Sequence, residues 1–150
     1  MEWLSKRKNA ALLCFGCGGL LALLLIIYAP VRMTSVVLDG GELQQMAFMC
    51  AAPEKLEEFV YVKDAQVCAE MESVIQDISL QRVRRAVYVM IREPIYTVKP
   101  TLKTGGTTEG FIVDSNGSVY SGRVQYRAVH QEDGLALYKT VAELWQQVKK

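Results

Sequence analysis

An uncharged run from Asn9 to Val31, NAALLCFGCGGLLALLLIIYAPV, constrains this 150-residue chain more than any other feature. About 20 apolar residues of helix cross a bilayer's hydrocarbon core, so the run is expected to be a transmembrane helix over residues 9–31. It is longer than an ordinary signal-peptide apolar segment and no A-x-A cleavage site follows, which favours an uncleaved anchor over a cleaved signal. Lys6, Arg7 and Lys8 precede it and only Arg32 follows closely. The positive-inside rule therefore puts residues 1–8 in the cytoplasm or a matrix, and the remainder in the periplasm, extracellular space or intermembrane space. The expectation is a single-pass inner- or plasma-membrane protein in contact with the lipid bilayer.

Ala10, Cys14, Gly18 and Ala22 recur every four residues, which places them on one stripe of that helix. Small residues let a second helix approach closely, so the stripe is a candidate packing surface; chance in a Gly- and Ala-rich span is the plain alternative. Cys14 and Cys17 form a C-x-x-C inside the same run. They read better as small helix residues than as a metal or redox dithiol, which would need an aqueous cavity. Cys50 and Cys68 lie beyond the run. They are a candidate disulfide in an oxidising compartment or else two buried free thiols, and spacing alone does not decide.

Residues 32–41 read as a linker interrupted by Gly40-Gly41, leaving 42–150 as one extracytoplasmic domain, a common domain size. Glu42 to Ala51 suits a short helix. From Pro53, the residues Leu56, Phe59, Val60, Val67, Met71, Val74, Ile75 and Ile78 recur at three- and four-residue steps, the pattern of an amphipathic helix. Ser79 can cap a further helix over 80–92, although Ala86 to Ile91 is also β-rich and a strand is the alternative. After Pro94 the pattern changes. Ile95–Val98 reads as a strand. Phe111–Val113 and Val119 onward flank Asn116-Gly117, a hairpin turn signal. Val124, Tyr126 and Ala128 alternate with polar neighbours as a half-buried strand. Asp133-Gly134 reads as another turn before a returning Leu135–Tyr138 segment. The expected fold is α+β: an N-terminal transmembrane helix, then amphipathic helices packed on an antiparallel β-meander.

Seventeen Lys and Arg against sixteen Asp and Glu give a net charge of +1, which offers no field for nucleic acid. The lone His130 has no second histidine to complete a ligand set. No G-x-S-x-G elbow, P-loop or G-x-G-x-x-G occurs. Glu54 to Glu58 read as the wet face of a helix near its positive end. The expectation is therefore no enzyme, no cofactor, no metal and no evident small-molecule substrate.

A basic N-terminus, a Cys/Gly-rich apolar span, an amphipathic helix, then Ile91-Arg92-Glu93-Pro94-Ile95 and a β-meander resemble the cytochrome c oxidase assembly factor family, which is related to a small subunit of the mitochondrial presequence translocase. That family's helix ends in Leu-Gly-x-Pro-Ile/Val, and Arg92 stands here in place of the glycine. Its hairpin would correspond to Phe111 through Tyr126, followed by a strand like Leu135 to Leu144. The resemblance implies a membrane-tethered interaction or assembly protein whose partners are subunits of membrane protein complexes, including those of respiratory oxidase assembly. The alternative is a component of a cell-envelope machine for secretion, conjugation or phage lysis, with a small periplasmic domain.

Overall fold

The computed structural model describes residues 18–85, 91–106 and 108–149. Residues 18–28 are helical (α1), followed by strand β1 (Val31–Arg32) and a short helix α2 (Met33–Val37). Strands β2 (Leu43–Ala52), β3 (Lys55–Leu56) and β4 (Val60–Val62) precede helix α3 (Ala65–Gln76). Five more strands follow: β5 (Ser79–Arg85), β6 (Ile95–Leu102), β7 (Phe111–Val113), β8 (Ser118–Ser121) and β9 (Val124–Ala128). Helix α4 (Gln131–Val148) closes the fold.

All nine strands join one antiparallel sheet in the order β1-β5-β9-β8-β7-β6-β2-β3, with β4 also on β2. Pairing puts Cys50, Tyr96, Val113, Val119 and Tyr126 in one row across five strands. Helices α3 and α4 pack on that face. Helix α3 buries Cys68, Met71 and Ile75, and α4 buries Leu137, Val141, Leu144 and Trp145 at helical spacing. Met33, Val37 and Leu38 belong to the same core. Asp64 caps α3, its Oδ1 accepting from the backbone N–H of Gln66 at 2.8 Å and Val67 at 3.1 Å.

No helix among the described residues is long and apolar enough to cross a membrane. Helix α1 offers residues 18–28, roughly 16 Å at 1.5 Å per residue, against a hydrocarbon core of about 30 Å. Pro30 disfavours helical backbone at Ala29, and the chain leaves α1 into β1, which pairs with Leu80 and Ser79. The transmembrane helix expected over 9–31, and with it the single-pass localisation, is thereby corrected. Residues 1–17, including Ala10, Cys14 and Cys17, lie outside the described residues.

The order of elements also differs from helices first and a meander afterwards. The segment expected as a helix over Glu42 to Ala51 is instead almost all of the longest strand among the described residues, β2, which begins at Leu43. The apolar spacing from Leu56 to Ile78 spans β3, β4 and α3, so only its second half is helical. Segment 79–85 is strand β5, and residues 86–90 lie outside the described residues. Asp133-Gly134 is no turn, and Leu135–Tyr138 no strand: both belong to α4, with Glu132 and Asp133 in its first turn, where the helix dipole favours acids.

Two glycines explain that last difference. Gly117, at φ +72° in the β7–β8 turn, lies directly against Gly134. A Cβ on Gly134 would sit 2.5 Å from the Gly117 carbonyl oxygen. Gly134 is thus a contact residue within a helix, where glycine otherwise costs about 1 kcal/mol relative to alanine. Gly134→Ala is therefore expected to destabilise the protein by about 2 kcal/mol through overpacking, measured as a lower urea midpoint. Helix propensity alone predicts the opposite sign, so a raised midpoint would show that the turn yields at no cost.

Candidate functional site

Helix α1 carries the largest unburied apolar surface of the described chain. Leu20, Leu21 and every residue from Leu23 to Tyr28 are exposed, with Ile26 at 74% and Leu25 at 67%. Gly18 and Ala22, the described half of the expected stripe, are exposed on the same helix. No described atom lies within 4 Å of a Cβ built on Gly18 or Gly19.

Between the end of α1 and the helix-bearing face of the sheet lies a half-open cleft of about 670 Å³. Ile26 and Ile27 from α1, Val36 from α2 and Val124 from β9 give it apolar walls. Arg82 from β5, Arg123 from the β8–β9 turn and Glu109 give it a charged rim. The Glu109 carboxylate lies over Gly122, where a Cβ would come within 2.5 Å of its Oε2. The side chains of Arg82, Arg123 and Glu109 make no hydrogen bond or ion pair among the described residues. The opposite face carries a smaller groove of about 370 Å³, where Lys99 Nζ lies 4.6 Å from the centre of the Phe59 ring. Phe59 therefore belongs to that face, apart from the core of Met71 and Ile75.

The chain matches no protein-family model, no curated protein and no solved structure. Of the segment leading to Ile91, residues 79–85 form a strand paired with β9, and residues 86–90 lie outside the described residues.

Cys50 on β2 and Cys68 on α3 are both buried free thiols. Burial raises both thiol pKa values; Glu57 adds to the rise at Cys50, and Asp64 at Cys68. The Cys68 thiol donates to the Gln44 carbonyl at 3.7 Å, at the irregularity between Leu43 and Gln45 where β2 shifts register against β6. Burial likewise pushes the Tyr96 hydroxyl up to about 12 and raises Tyr138, whose hydroxyl donates to the Pro94 carbonyl at 3.1 Å. The two rings are 5.4 Å apart. His130 is the N-cap residue of α4 and makes no side-chain cap bond. Among the described residues no three His, Cys, Asp or Glu side chains converge as metal ligands. Glu54 lies in the turn before β3, and Glu57 accepts from Lys149 at 2.6 Å and Lys55 at 3.2 Å, tying the end of α4 to the strand edge.

Of the residues singled out from sequence, Cys50 and Cys68 share one core, while Gly18 and Ala22 stand apart on α1. The cleft residues Glu109 and Arg123 were not singled out. The Ser121-Gly122 turn signal could have flagged Arg123 as a residue at a hairpin tip. A thiol that is both buried and held protonated reacts slowly. Alkylation by iodoacetamide at pH 8 should modify Cys50 and Cys68 at least roughly tenfold more slowly in the folded protein than in urea, read by mass spectrometry of the separate peptides. Equal rates would show that both sites open freely to solvent.

Proposed function

We propose that this protein is a non-catalytic interaction module that assembles with a partner protein through helix α1. The exposed apolar surface of α1 carries this reading. A helix apolar on all sides is stable when buried, and a contiguous exposed apolar patch marks an interaction surface. The occupant is an apolar helix of a partner subunit. Residues 18–28 contain no charge to pair with a polar surface, and the open backbone at Gly18 and Gly19 admits a close neighbour. Burying a large apolar side chain fully contributes about 1.5–3 kcal/mol. Several such residues together offset the entropy lost on association, roughly 4–15 kcal/mol. The thiols of Cys50 and Cys68, buried and with pKa values raised by that burial, are not activated nucleophiles, which supports the non-catalytic half of the reading.

Photocrosslinking tests it. Benzophenone residues at Leu21 and Leu25 of the full chain, in its native cells, should give adducts with apolar helical peptides of a second polypeptide. The same probe at Glu54, in the turn between β2 and β3, should not. The pair Leu21→Glu and Leu25→Glu should abolish the complex and leave the thermal melting of the folded domain unchanged. Adducts with lipid alone, or a complex that survives the pair, would overturn the reading.

A further inference from the structure

The cleft beside α1 has the composition of a ligand site, and nothing in the sequence reading anticipated one. Its volume of about 670 Å³ falls within the range of small-molecule pockets, roughly 300–1,000 Å³. The apolar wall built from Ile26, Ile27, Val36 and Val124 suits a hydrocarbon body. Among the described residues the rim carries two guanidinium groups and one carboxylate, with no described side-chain partner for any of the three. Arg82 and Arg123 against Glu109 leave one positive charge in excess.

We propose that this cleft binds an amphipathic monoanion, a single carboxylate or sulfonate head on an apolar body. The guanidinium fork matches a carboxylate with two parallel N–H···O bonds, so the head lies between Arg82 and Arg123. The body then lies along Ile26 and Ile27. Glu109 repels a second negative charge, which disfavours phosphate monoesters and nucleotides. Among the described residues Tyr126 is the one aromatic side chain lining the cleft, so a nucleobase finds no described pair of rings to stack between. The site uses the inner edge of α1 and does not depend on what covers its outer faces.

Calorimetric titration of the full-length protein with decanoate, below its micellar concentration, tests the assignment. Decanol and decylamine serve as tails with a neutral and a cationic head. Decanoate should bind at least tenfold more tightly than either. Arg82→Gln and Arg123→Gln should each weaken decanoate binding about tenfold, the loss of one charge-assisted hydrogen bond. Both arginines are exposed, so the variants should fold, as thermal melting checks. Glu109→Gln should tighten binding a few-fold by removing a repulsive charge. Equal binding of all three amphiphiles, or indifference to both arginine variants, would show tails adsorbing on exposed α1 and would overturn the proposal. Weaker binding by Glu109→Gln would also overturn it, since Glu109 would then be holding a cation.

Discussion

Strands β2 and β6 are far apart in the chain, yet they pair from Leu43 with Leu102 to Ala51 with Ile95. Both send their large side chains, Met46, Phe48, Tyr96 and Val98, into the core beneath α3 and α4. Every other element is placed relative to this seam. On one side β7, β8 and β9 add in sequence order; on the other, β3 and β4 cover the far edge of β2. The register irregularity near Gln44 leaves a carbonyl facing α3, and the Cys68 thiol meets it. A sheet assembled across such long sequence separations depends on non-local burial more than on turns. That is why the row from Cys50 to Tyr126 is so uniformly apolar.

Helix α1 stands outside this logic. It is attached to the fold through Pro30 and the two residues of β1, whose pairing with Ser79 and Leu80 fixes where the helix leaves the sheet. Immediately afterwards Met33 and Val37 enter the core, so the attachment is firm although the helix itself is bare. The contrast in burial between Met33 and Ile26, seven residues apart, divides the described chain into a part that folds on itself and a part left exposed. The cleft lies where the end of α1 and α2 face β5, β9 and the β8–β9 turn.

Much of the second half of the sheet was legible. Asn116-Gly117 marked the β7–β8 hairpin because that turn demands positive φ, and Gly117 has it. Val124, Tyr126 and Ala128 alternated as a strand and form one. The first half misled for a physical reason. Leu43 to Ala52 is buried on both faces along much of its length, so its apolar residues do not alternate, and a continuous apolar run cannot be told from a helix by period. Ser79 to Arg85 gave a helical reading because Leu80 and Val83 fall three apart. In the strand they fall on opposite faces, with Leu80 buried and Val83 exposed. At Gly134 a tertiary contact with Gly117 overrode the local rule that Asp-Gly turns the chain.

The uncharged run was the strongest signal in the sequence, and its apolar character is real: the described part of it is bare of contacts on most of its surface. What the run could not convey is where the helix stops, because that depends on Pro30 and on the pairing of Val31 with Leu80, forty-nine residues away. The cleft was less legible still. Arg82, Glu109 and Arg123 sit in three separate segments, each unremarkable as a surface charge on its own. Antiparallel pairing of β5 with β9, together with the tight β8–β9 turn at Gly122, brings them to one rim. A cleft whose charges come from a strand, a loop and a turn far apart in the chain has no local spacing to recognise. Its chemistry follows from the register, so it becomes visible only once the sheet is known.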